Sequence, residues 1–295
     1  MDDLLTSLNI NTDLARKMIA QFIRAEITRV GFTRGVIGLS GGIDSSLVAF
    51  LAVEALGAEN VLGVLMPYRT SNPQSRADAE LVARQLGIAT RVIEITPMVE
   101  PYLAQFIAAP STPASASSAS AQGDSAQAAR RRGNVMARAR MIVLYDQSED
   151  FHGLVIGTSN KTEALLGYTT QFGDNAAAIQ PITDLYKCQV RQLARAVGMP
   201  DAIIGKAPSA DLWQGQTDEG ELGFTYDEAD AILFQLVDER RRADDVIALG
   251  FDARVVKRIG ELMQRNQFKR VTPPVAKISA RTIGVDFLYN RDWGR

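Results

Sequence analysis

Short apolar runs alternate with longer amphipathic runs over the first two thirds of the chain. The short runs have the length of buried strands, and the runs between them have the period of helices. The predicted strands are residues 36–39, 61–66, 91–95, 154–156 and 179–182. Strands and helices that alternate in this order form a parallel sheet with helices on both faces. The pattern therefore predicts an α/β fold with an open parallel sheet of about five strands.

The helical pattern begins before the first predicted strand and continues after the last one. Asn11 is a suitable cap for an amphipathic helix that ends at Gly31. Between the strands, helices are predicted over residues 45–56, 71–86, 97–106, 134–148 and 187–197. Three further helices with acidic starts are predicted between residues 226 and 264. The C-terminal part should therefore add helices to the sheet without adding strands.

Two segments interrupt this pattern. Residues 108–129 consist almost entirely of Ala, Ser, Pro and Gln, with no bulky apolar residue to offset the entropy lost on ordering. We expect them to form a mobile surface loop. Residues 208–225 are polar and acidic, and we expect an irregular loop at the active site. Neither segment divides the chain, so residues 1–295 are predicted to form a single domain.

Composition excludes several classes of protein. A net charge of −2 and an isoelectric point near 5.6 argue against nucleic-acid binding. The mean hydropathy is −0.04, and no apolar run is long enough to span a membrane. The N-terminus is acidic where a signal peptide would be basic. We predict a cytoplasmic protein without a nucleic-acid or membrane partner.

The chain has one cysteine, Cys188, and one histidine, His152. A single cysteine excludes an internal disulfide bond. Both residues lie within the predicted sheet-and-helix core rather than in a separate amidase domain, and we expect both to be structural. A reaction that needs nitrogen would then use free ammonia, or ammonia from a separate protein.

The run from Gly38 to Ser46 joins a predicted strand to a predicted helix. The free N–H groups and the dipole of a helix's first turn attract anions, and glycines let an oxyanion approach the backbone. Ser40 and Ser45 add hydroxyl donors. Asp44 would repel a phosphate unless a divalent cation lay between them, and Mg²⁺ binds carboxylate and phosphate oxygens together. The run therefore predicts a polyphosphate site with Mg²⁺.

This loop is neither a Walker A loop nor a dinucleotide-binding fingerprint, because the Gly-Lys-Ser/Thr and G-x-G-x-x-G patterns are missing. It resembles the SGGxDS loop of the N-type ATP pyrophosphatases, which cleave ATP between its α and β phosphates. The loop alone leaves open NAD synthetase, GMP synthetase, asparagine synthetase and tRNA-thiolating enzymes.

Further motifs resemble those of the ammonia-dependent NAD synthetases, in the same order along the chain. They are Gly133-Asn134 with Ala137-Arg138, the run from Gly157 to Glu163, Gly173-Asp174, the run from Pro181 to Lys187, the run from Pro208 to Gly223, and Lys269-Arg270 followed by Pro273. With the phosphate loop they extend over residues 38–274. The resemblance is to the type that lacks a glutaminase domain, and it implies a Rossmann-like sheet.

The resemblance implies a ligase of NAD biosynthesis. In this family ATP adenylates the nicotinate carboxylate of deamido-NAD, pyrophosphate leaves, and ammonia then displaces AMP to give NAD. An ionised carboxylate resists attack by ammonia because oxide is a very poor leaving group, and AMP is a good one. Aligning the carboxylate with the α-phosphate and neutralising phosphate charge would drive the reaction. The family also implies a homodimer.

By position, the resemblance implies roles for the motif residues. The ATP-binding residues would be Gly38, Leu39, Ser40, Gly41, Gly42, Ile43, Asp44, Ser45, Thr158, Lys187 and Ser209. Asp44 and Lys187 would be catalytic, while Asp44 and Glu163 would bind Mg²⁺. The residues that bind deamido-NAD would be Arg138, Gln171, Phe268 and Lys269, the last two at its nicotinate end.

Three positions depart from the better-known bacterial members, which have Lys in place of Gln171, Asp in place of Ala178 and His in place of Phe268. All three belong to the deamido-NAD side, whereas the ATP set is intact. Either this chain holds the dinucleotide differently, or its acceptor is altered, and the broad motif match favours the first.

Two other functions stay open at this stage. The chain could be another N-type ATP pyrophosphatase with a different carboxylate or carbonyl acceptor, or a non-catalytic adenine-nucleotide sensor. A sensor could dispense with Asp44, Glu163 and Lys187, so their presence disfavours it.

Overall fold

A computed structural model describes residues 7–107, 121–208 and 217–287. Its sheet contains β1 (Arg34–Gly38), β2 (Val61–Leu65), β3 (Ala89–Val92) and β4 (Gly153–Val155). All neighbouring strands are parallel, and their order is β3-β2-β1-β4. This is the open parallel α/β sheet that the alternation of strands and helices predicts.

The predicted fifth strand, residues 179–182, is present only as a parallel bridge between Ile179 and Ile156 beside β4. Pro181 has no N–H group to continue the ladder, which accounts for the short pairing. The sheet therefore has four strands and one residue of a fifth.

Helices surround the sheet and extend the C-terminal part. They are α1 (Thr12–Arg29), α2 (Ile43–Leu56), α3 (Pro73–Leu86), α4 (Thr96–Ile107), α5 (Ala121–Phe151), α6 (Lys161–Leu166), α7 (Lys187–Ala196), α8 (Asp201–Ile204), α9 (Asp218–Leu222), α10 (Tyr226–Leu233), α11 (Ala243–Ala248) and α12 (Ala253–Arg265). Short 3₁₀ helices are Ala58–Asn60 and Gln267–Arg270, and a π-helical turn, Phe234–Asp238, follows α10. No helix in the described ranges has both the length and the apolar character needed to cross a membrane.

The two faces of the sheet carry separate cores. Ile37 and Leu65 pack with buried residues of α1, α2, α3, α7 and α8. Val36 and Val64 point to the other face, where they pack with α4 and α5. Alternation with a period of two explains this division, because successive strand residues face opposite sides. A third core joins α10, α11 and α12 to α6.

Two predicted loops are partly helical. α5 includes residues 121–129, so the prediction of a loop there is wrong for this part. Ala and Gln are good helix formers, and the helix can propagate from the packed residues that follow. α9 lies within the predicted loop of residues 208–225. The remaining parts, residues 108–120 and 209–216, lie outside the described residues.

Candidate active site

The carboxyl ends of β1 and β4 meet where the strand order reverses. β2 lies on one side of β1 and β4 on the other, although both follow β1 in the chain. Such a switch point is where open α/β sheets bind ligands. The phosphate loop leaves β1 here and leads into α2, and the run after β4 leads into α6. The two predicted ATP motifs are therefore side by side.

The phosphate loop is held by its own hydroxyl groups. The Ser40 N–H donates to Ser45 Oγ over 3.2 Å, and the hydroxyls of these two serines are 2.9 Å apart. The carbonyl of Gly42, the N-cap residue of α2, accepts from the hydroxyls of Ser45 at 3.1 Å and Ser46 at 2.8 Å. The serines predicted as phosphate donors therefore also fix the shape of the loop.

Gly41 is required by the fold as well as by an oxyanion. Its φ is +76°, and a Cβ atom there would lie 2.1 Å from the carbonyl oxygen of Ser75 on α3. The side chains of Leu39 and Ile43 are buried in the core, and the Leu39 N–H donates to the Val64 carbonyl at 2.9 Å, so Leu39 offers no donor to a ligand. The loop is thus a rigid turn pressed against α3.

Asn160 connects the two predicted metal ligands. It caps α6 by accepting the Glu163 N–H at 3.0 Å, and its own N–H donates to Glu163 Oε2 at 3.4 Å. Its side-chain amide also donates to Asp44 Oδ1 at 3.0 Å, across from the phosphate loop. Asn160 is fully buried. Its place in the run from Gly157 to Glu163 is evident in the sequence, but its bond to Asp44 is not.

Lys187, the first residue of α7, completes an ion triad with the same two carboxylates. Its Nζ lies 2.5 Å from Asp44 Oδ2 and 3.4 Å from Glu163 Oε1. Its side chain is 3% exposed, and those of both carboxylates are 17% exposed. The charge of a lysine at a helix N-terminus interacts unfavourably with the helix dipole, and here the two carboxyl groups offset that cost. The structure thus brings together Asp44, Glu163 and Lys187 from three segments.

The protonation state of Glu163 decides the net charge of this triad. Burial, opposed by the Lys187 ammonium and reinforced by the Asp44 carboxylate, raises the pKa of Glu163 to about 8. Burial alone would lower the pKa of Lys187, but Asp44 and Glu163 raise it above its ordinary value. With that pKa the Glu163 carboxyl is mostly protonated at neutral pH, and a divalent cation bound beside it would favour the ionised form. Asp44 and Glu163 are two oxygen donors of the kind that such a cation prefers, and no larger cluster of metal-binding side chains occurs among the described residues.

Lys206 supports the phosphate loop from the side of α3. Its Nζ donates to Asp78 Oδ2 at 2.8 Å, to Ser75 Oγ at 3.2 Å and to the Gly41 carbonyl at 3.4 Å. Asp78 is buried on α3. Sequence reasoning missed this contact, because the motifs give no signal that connects Lys206 with a loop 165 residues earlier.

Two tyrosines connect α9 to the triad. The hydroxyls of Tyr226 and Tyr168 donate to Asp218 at 3.1 and 3.2 Å, and Tyr168 also donates to Glu221. Lys187 Nζ lies 5.0 Å from the centre of the Tyr226 ring, a favourable position for a cation. Burial of the hydroxyl, followed by the nearby Glu163 carboxylate, raises the pKa of Tyr226. The Asp218 side chain thus links α9 to Tyr226, whose ring lies beside the Lys187 ammonium.

Arg138 and Gln171, both predicted to bind deamido-NAD, contact each other. The Arg138 guanidinium donates to the Gln171 carbonyl through Nε at 3.3 Å and Nη2 at 3.1 Å. Arg138 is exposed on α5. The neighbouring Phe172 is 54% exposed and has a φ of +58°, uncommon for a side chain of its size. Arg138 therefore shapes an exposed turn.

Phe268 and Lys269 lie together in the last 3₁₀ turn, but their surroundings differ. Phe268 is 55% exposed and so is not a core residue. Lys269 Nζ donates to the carbonyls of Gly167 at 2.6 Å and Thr169 at 2.8 Å. Burial lowers the pKa of Lys269, while Asp174 opposes the shift. The predicted ligand Lys269 is thus committed to the backbone at the end of α6.

Two more residues from the same part of the chain hold the C-terminal end of α6. Arg270 donates to the carbonyls of Ala164 at 3.1 Å and Leu165 at 2.7 Å, and Asn266 donates to the Leu166 carbonyl at 2.8 Å. The last carbonyls of a helix have no partners within it, so these donors complete its bonding. The helix that presents Glu163 is held at its far end by residues about 100 positions away.

The other predicted residues are placed as follows. Thr158 lies in the turn between β4 and α6 and is partly buried, and Ala178 is exposed beside the Ile179 bridge. Ser209 lies outside the described residues. Cys188 is partly buried on α7, and burial raises the pKa of its thiol, which does not favour a reactive thiolate. His152 is exposed with a φ of +52° after α5.

This chain is similar to proteins of known family. Residues 15–273 match the family described as NAD synthase. The chain is 52% identical to the NH(3)-dependent NAD(+) synthetase of Trichlorobacter lovleyi over 99% of this chain and 100% of that protein. It is 49% identical to the enzyme of the same name from Chlorobium phaeovibrioides, over 97% of each.

Solved structures of synthetases are also similar to this chain. An NMN synthetase from Francisella tularensis has a TM-score of 0.76 and 31% identity, covering 91% of this chain and 99% of its own. An NH3-dependent NAD synthetase from Campylobacter jejuni, in complex with the nitrate ion, has a TM-score of 0.72 and 30% identity, covering 91% and 100%. With its phosphate loop and ion triad at one switch point, the chain belongs to the NAD synthase family.

Proposed function

We propose that this protein is an ammonia-dependent NAD synthase. It amidates deamido-NAD with ammonia at the expense of ATP and releases AMP and pyrophosphate. The observation that carries the proposal is the junction of the phosphate loop with the buried triad Asp44, Glu163 and Lys187, 2.5 and 3.4 Å from ammonium to carboxylates. A non-catalytic sensor has no need of such a costly buried cluster of charges.

The first step joins the nicotinate carboxylate of deamido-NAD to the α-phosphorus of ATP, and the bond to pyrophosphate breaks. Gly38–Ser45 hold the phosphates with backbone N–H groups at the start of α2. Lys187 supplies fixed positive charge as pyrophosphate leaves. In the second step ammonia attacks the acyl carbon, AMP leaves with the bonding electrons, and the amine loses a proton. Thr158 and Ser209 are proposed as further ATP contacts.

Mg²⁺ is the proposed cofactor, held by Asp44 and Glu163. Their oxygens are the hard ligands that Mg²⁺ prefers, and a bound Mg²⁺ would favour the ionised form of Glu163. When bound, Mg²⁺ neutralises charge on the ATP phosphates. Asp44→Asn should keep the fold and lose most of the activity. An active variant whose Mg²⁺ dependence equals that of the wild type would remove Asp44 from this role.

The main test is incubation of the purified protein with ATP, Mg²⁺, ammonium and deamido-NAD. NAD, AMP and pyrophosphate should form in equal amounts. Release of ADP and phosphate would exclude an ATP pyrophosphatase. No turnover with any acceptor would favour a nucleotide sensor. The sequence-predicted cytoplasmic location stays a prediction.

A mononucleotide acceptor is the second candidate. The observation in its favour is that Gln171, Ala178 and Phe268 depart together from the dinucleotide-binding pattern. A structural neighbour is an NMN synthetase, so nicotinate mononucleotide is the natural competitor. Both acceptors should be offered at equal concentration. A higher kcat/KM for deamido-NAD supports the first proposal, and a higher value for the mononucleotide supports the second.

We also propose a homodimer formed through the exposed face of α5. Arg138, Ile142 and Tyr145 lie on one side of this helix, and the last two are 54% and 42% exposed. A partner on this face would cover apolar surface next to the proposed dinucleotide residue Arg138. α1 offers a second apolar stripe, which consists of Leu14, Met18 and Phe22.

Two charge substitutions distinguish these faces by light scattering at micromolar concentration. Ile142→Lys should give a monomer, and Met18→Lys should leave the dimer intact. The opposite result would place the interface on α1. A wild-type monomer would exclude the dimer.

A further inference from the structure

A buried carboxylate outside the motifs, Asp230 on α10, joins the two helices that carry Glu163 and Lys187. Asp230 is fully buried. Its Oδ1 accepts the hydroxyl of Thr162 on α6 at 2.5 Å, and its Oδ2 accepts the Cys188 N–H on α7 at 2.7 Å. The Thr162 Oγ1 in turn accepts the N–H of Lys187 at 3.1 Å.

This chain of bonds supplies the cap of α7. The residue before the helix, Tyr186, offers no side-chain acceptor to the first N–H groups. Instead, Thr162 accepts the N–H group of Lys187 and Asp230 accepts that of Cys188. A carboxylate near a helix N-terminus interacts favourably with the helix dipole. Asp230 therefore offsets the unfavourable interaction of the Lys187 ammonium with the same end of α7.

The same bonds determine where the triad groups stand. Thr162 is adjacent to Glu163, and the backbone of Lys187 is held directly. A shift of one helix relative to the other would move the ammonium away from the Glu163 carboxylate, and small misplacements of such groups reduce rates strongly. Burial raises the pKa of Asp230, opposed by its bonds from Thr162 and Cys188, so the ionised form depends on these donors.

We propose that Asp230 is a positioning residue that holds Lys187 and Glu163 in register for ATP. It touches neither substrate and acts through the N-terminus of α7 and through Thr162. The proposal rests on the function proposed above only in that it needs the triad to bind Mg·ATP. It predicts that loss of Asp230 weakens the binding and use of ATP and leaves the KM for deamido-NAD nearly unchanged.

The first experiment uses Asp230→Asn, which keeps the size but replaces one acceptor by a donor. We expect kcat/KM for ATP to fall about 10–100-fold, as when support residues of a site are changed. KM for deamido-NAD should stay within about twofold, and binding of Mg·ATP measured by calorimetry without acceptor should weaken in parallel. Asp227→Asn is the matched control, because Asp227 lies on α10 and pairs at 2.5 Å with Arg191 on α7, away from the triad.

A second pair keeps the test decisive if Asp230→Asn does not fold. Thr162→Val removes the hydroxyl at nearly constant volume, and Thr162→Ser retains it. We expect the ATP-side defect in the valine variant and near wild-type values in the serine variant. Equal values for both, or an Asp230→Asn enzyme that behaves like Asp227→Asn, would overturn the proposal. The binding measurement needs no acceptor, so lack of NAD synthesis by the wild type would refute the proposed function and leave this inference testable.

Discussion

The ATP side and the acceptor side of the proposed site are built in opposite ways. On the ATP side, Lys187 is buried and pairs with the partly buried carboxylates of Asp44 and Glu163. On the acceptor side, Arg138 and Phe268 are exposed, and Lys269 is used to hold backbone carbonyls. The first region is therefore preorganised for one ligand chemistry. The second can change residues without disturbing the fold, which accounts for the departures at Gln171, Ala178 and Phe268.

Replacement of Lys187 should have the largest effect. Lys187→Met leaves two buried carboxylates without their cation, which should cost about 3–5 kcal/mol of unfolding free energy. Loss of positive charge at the phosphates should lower kcat by about 10²–10³-fold. Urea unfolding and steady-state kinetics measure the two effects. Lys17→Met, at a surface ion pair, is the control, and a comparable loss in that variant would refute the assignment.

The next largest effect separates the two glycines of the phosphate loop. Gly41→Ala forces a side chain into a positive φ and against Ser75, so it should lose about 2–4 kcal/mol of stability. For Gly42, the nearest atom to a new Cβ is Ser40 Oγ at 3.4 Å, an ordinary contact. The stability of Gly42→Ala should stay within about 1 kcal/mol of the wild type. Its KM for ATP should rise about tenfold, because the added methyl group narrows the anion site.

Denaturant unfolding and ATP titration of the two glycine variants test this difference. A Gly41→Ala variant as stable as Gly42→Ala would show that the contact with α3 does not constrain the loop.

How much of this site could be predicted depends on whether a residue's role is local. The strand-turn-helix units were predicted correctly, because hydrophobic period and motif spacing encode them within a few residues. The structure brings the carboxylates beside these units together, and their roles stay predictions. The long-range bonds of Asn160, Lys206 and Asp230 join segments from 42 to 165 residues apart and leave no local pattern. The prediction of a loop over residues 121–129 was wrong because a helix that packs further along extends into a segment whose Ala and Gln residues favour helix.

Replacement of Lys269 shows whether this side chain supports the fold or binds the acceptor. Lys269→Ala removes two charge-assisted hydrogen bonds to half-buried carbonyls, so it should lower the unfolding free energy by about 1–2 kcal/mol. The exposed Lys257 on α12 provides the control Lys257→Ala. If Lys269 contacts deamido-NAD instead, its loss will raise KM for that substrate while the melting temperature stays unchanged.

Phe268 should show the smallest effect. Because the ring is 55% exposed, Phe268→Ala should change stability by less than about 0.5 kcal/mol. A ring that packs on the nicotinate end would raise KM for deamido-NAD about 3–10-fold and leave KM for ATP unchanged. Ile278→Ala, at a 95% exposed position, is the control. Equal changes in both KM values would remove Phe268 from the acceptor side.

The hydrogen bonds at the C-terminal end of α6 also determine when the site can form during synthesis of the chain. α6 has six residues, well below the roughly 12–15 needed for an isolated helix to persist in water. Its last carbonyls find their partners Asn266 and Arg270, and the carbonyls just beyond it find Lys269, only when the last part of the family-matched region has been synthesised. A nascent chain that carries the phosphate loop, Glu163 and Lys187 therefore still lacks the support that orients them. The ability to bind Mg·ATP should arise late in translation, so that a chain cut short before residue 266 would not sequester the nucleotide.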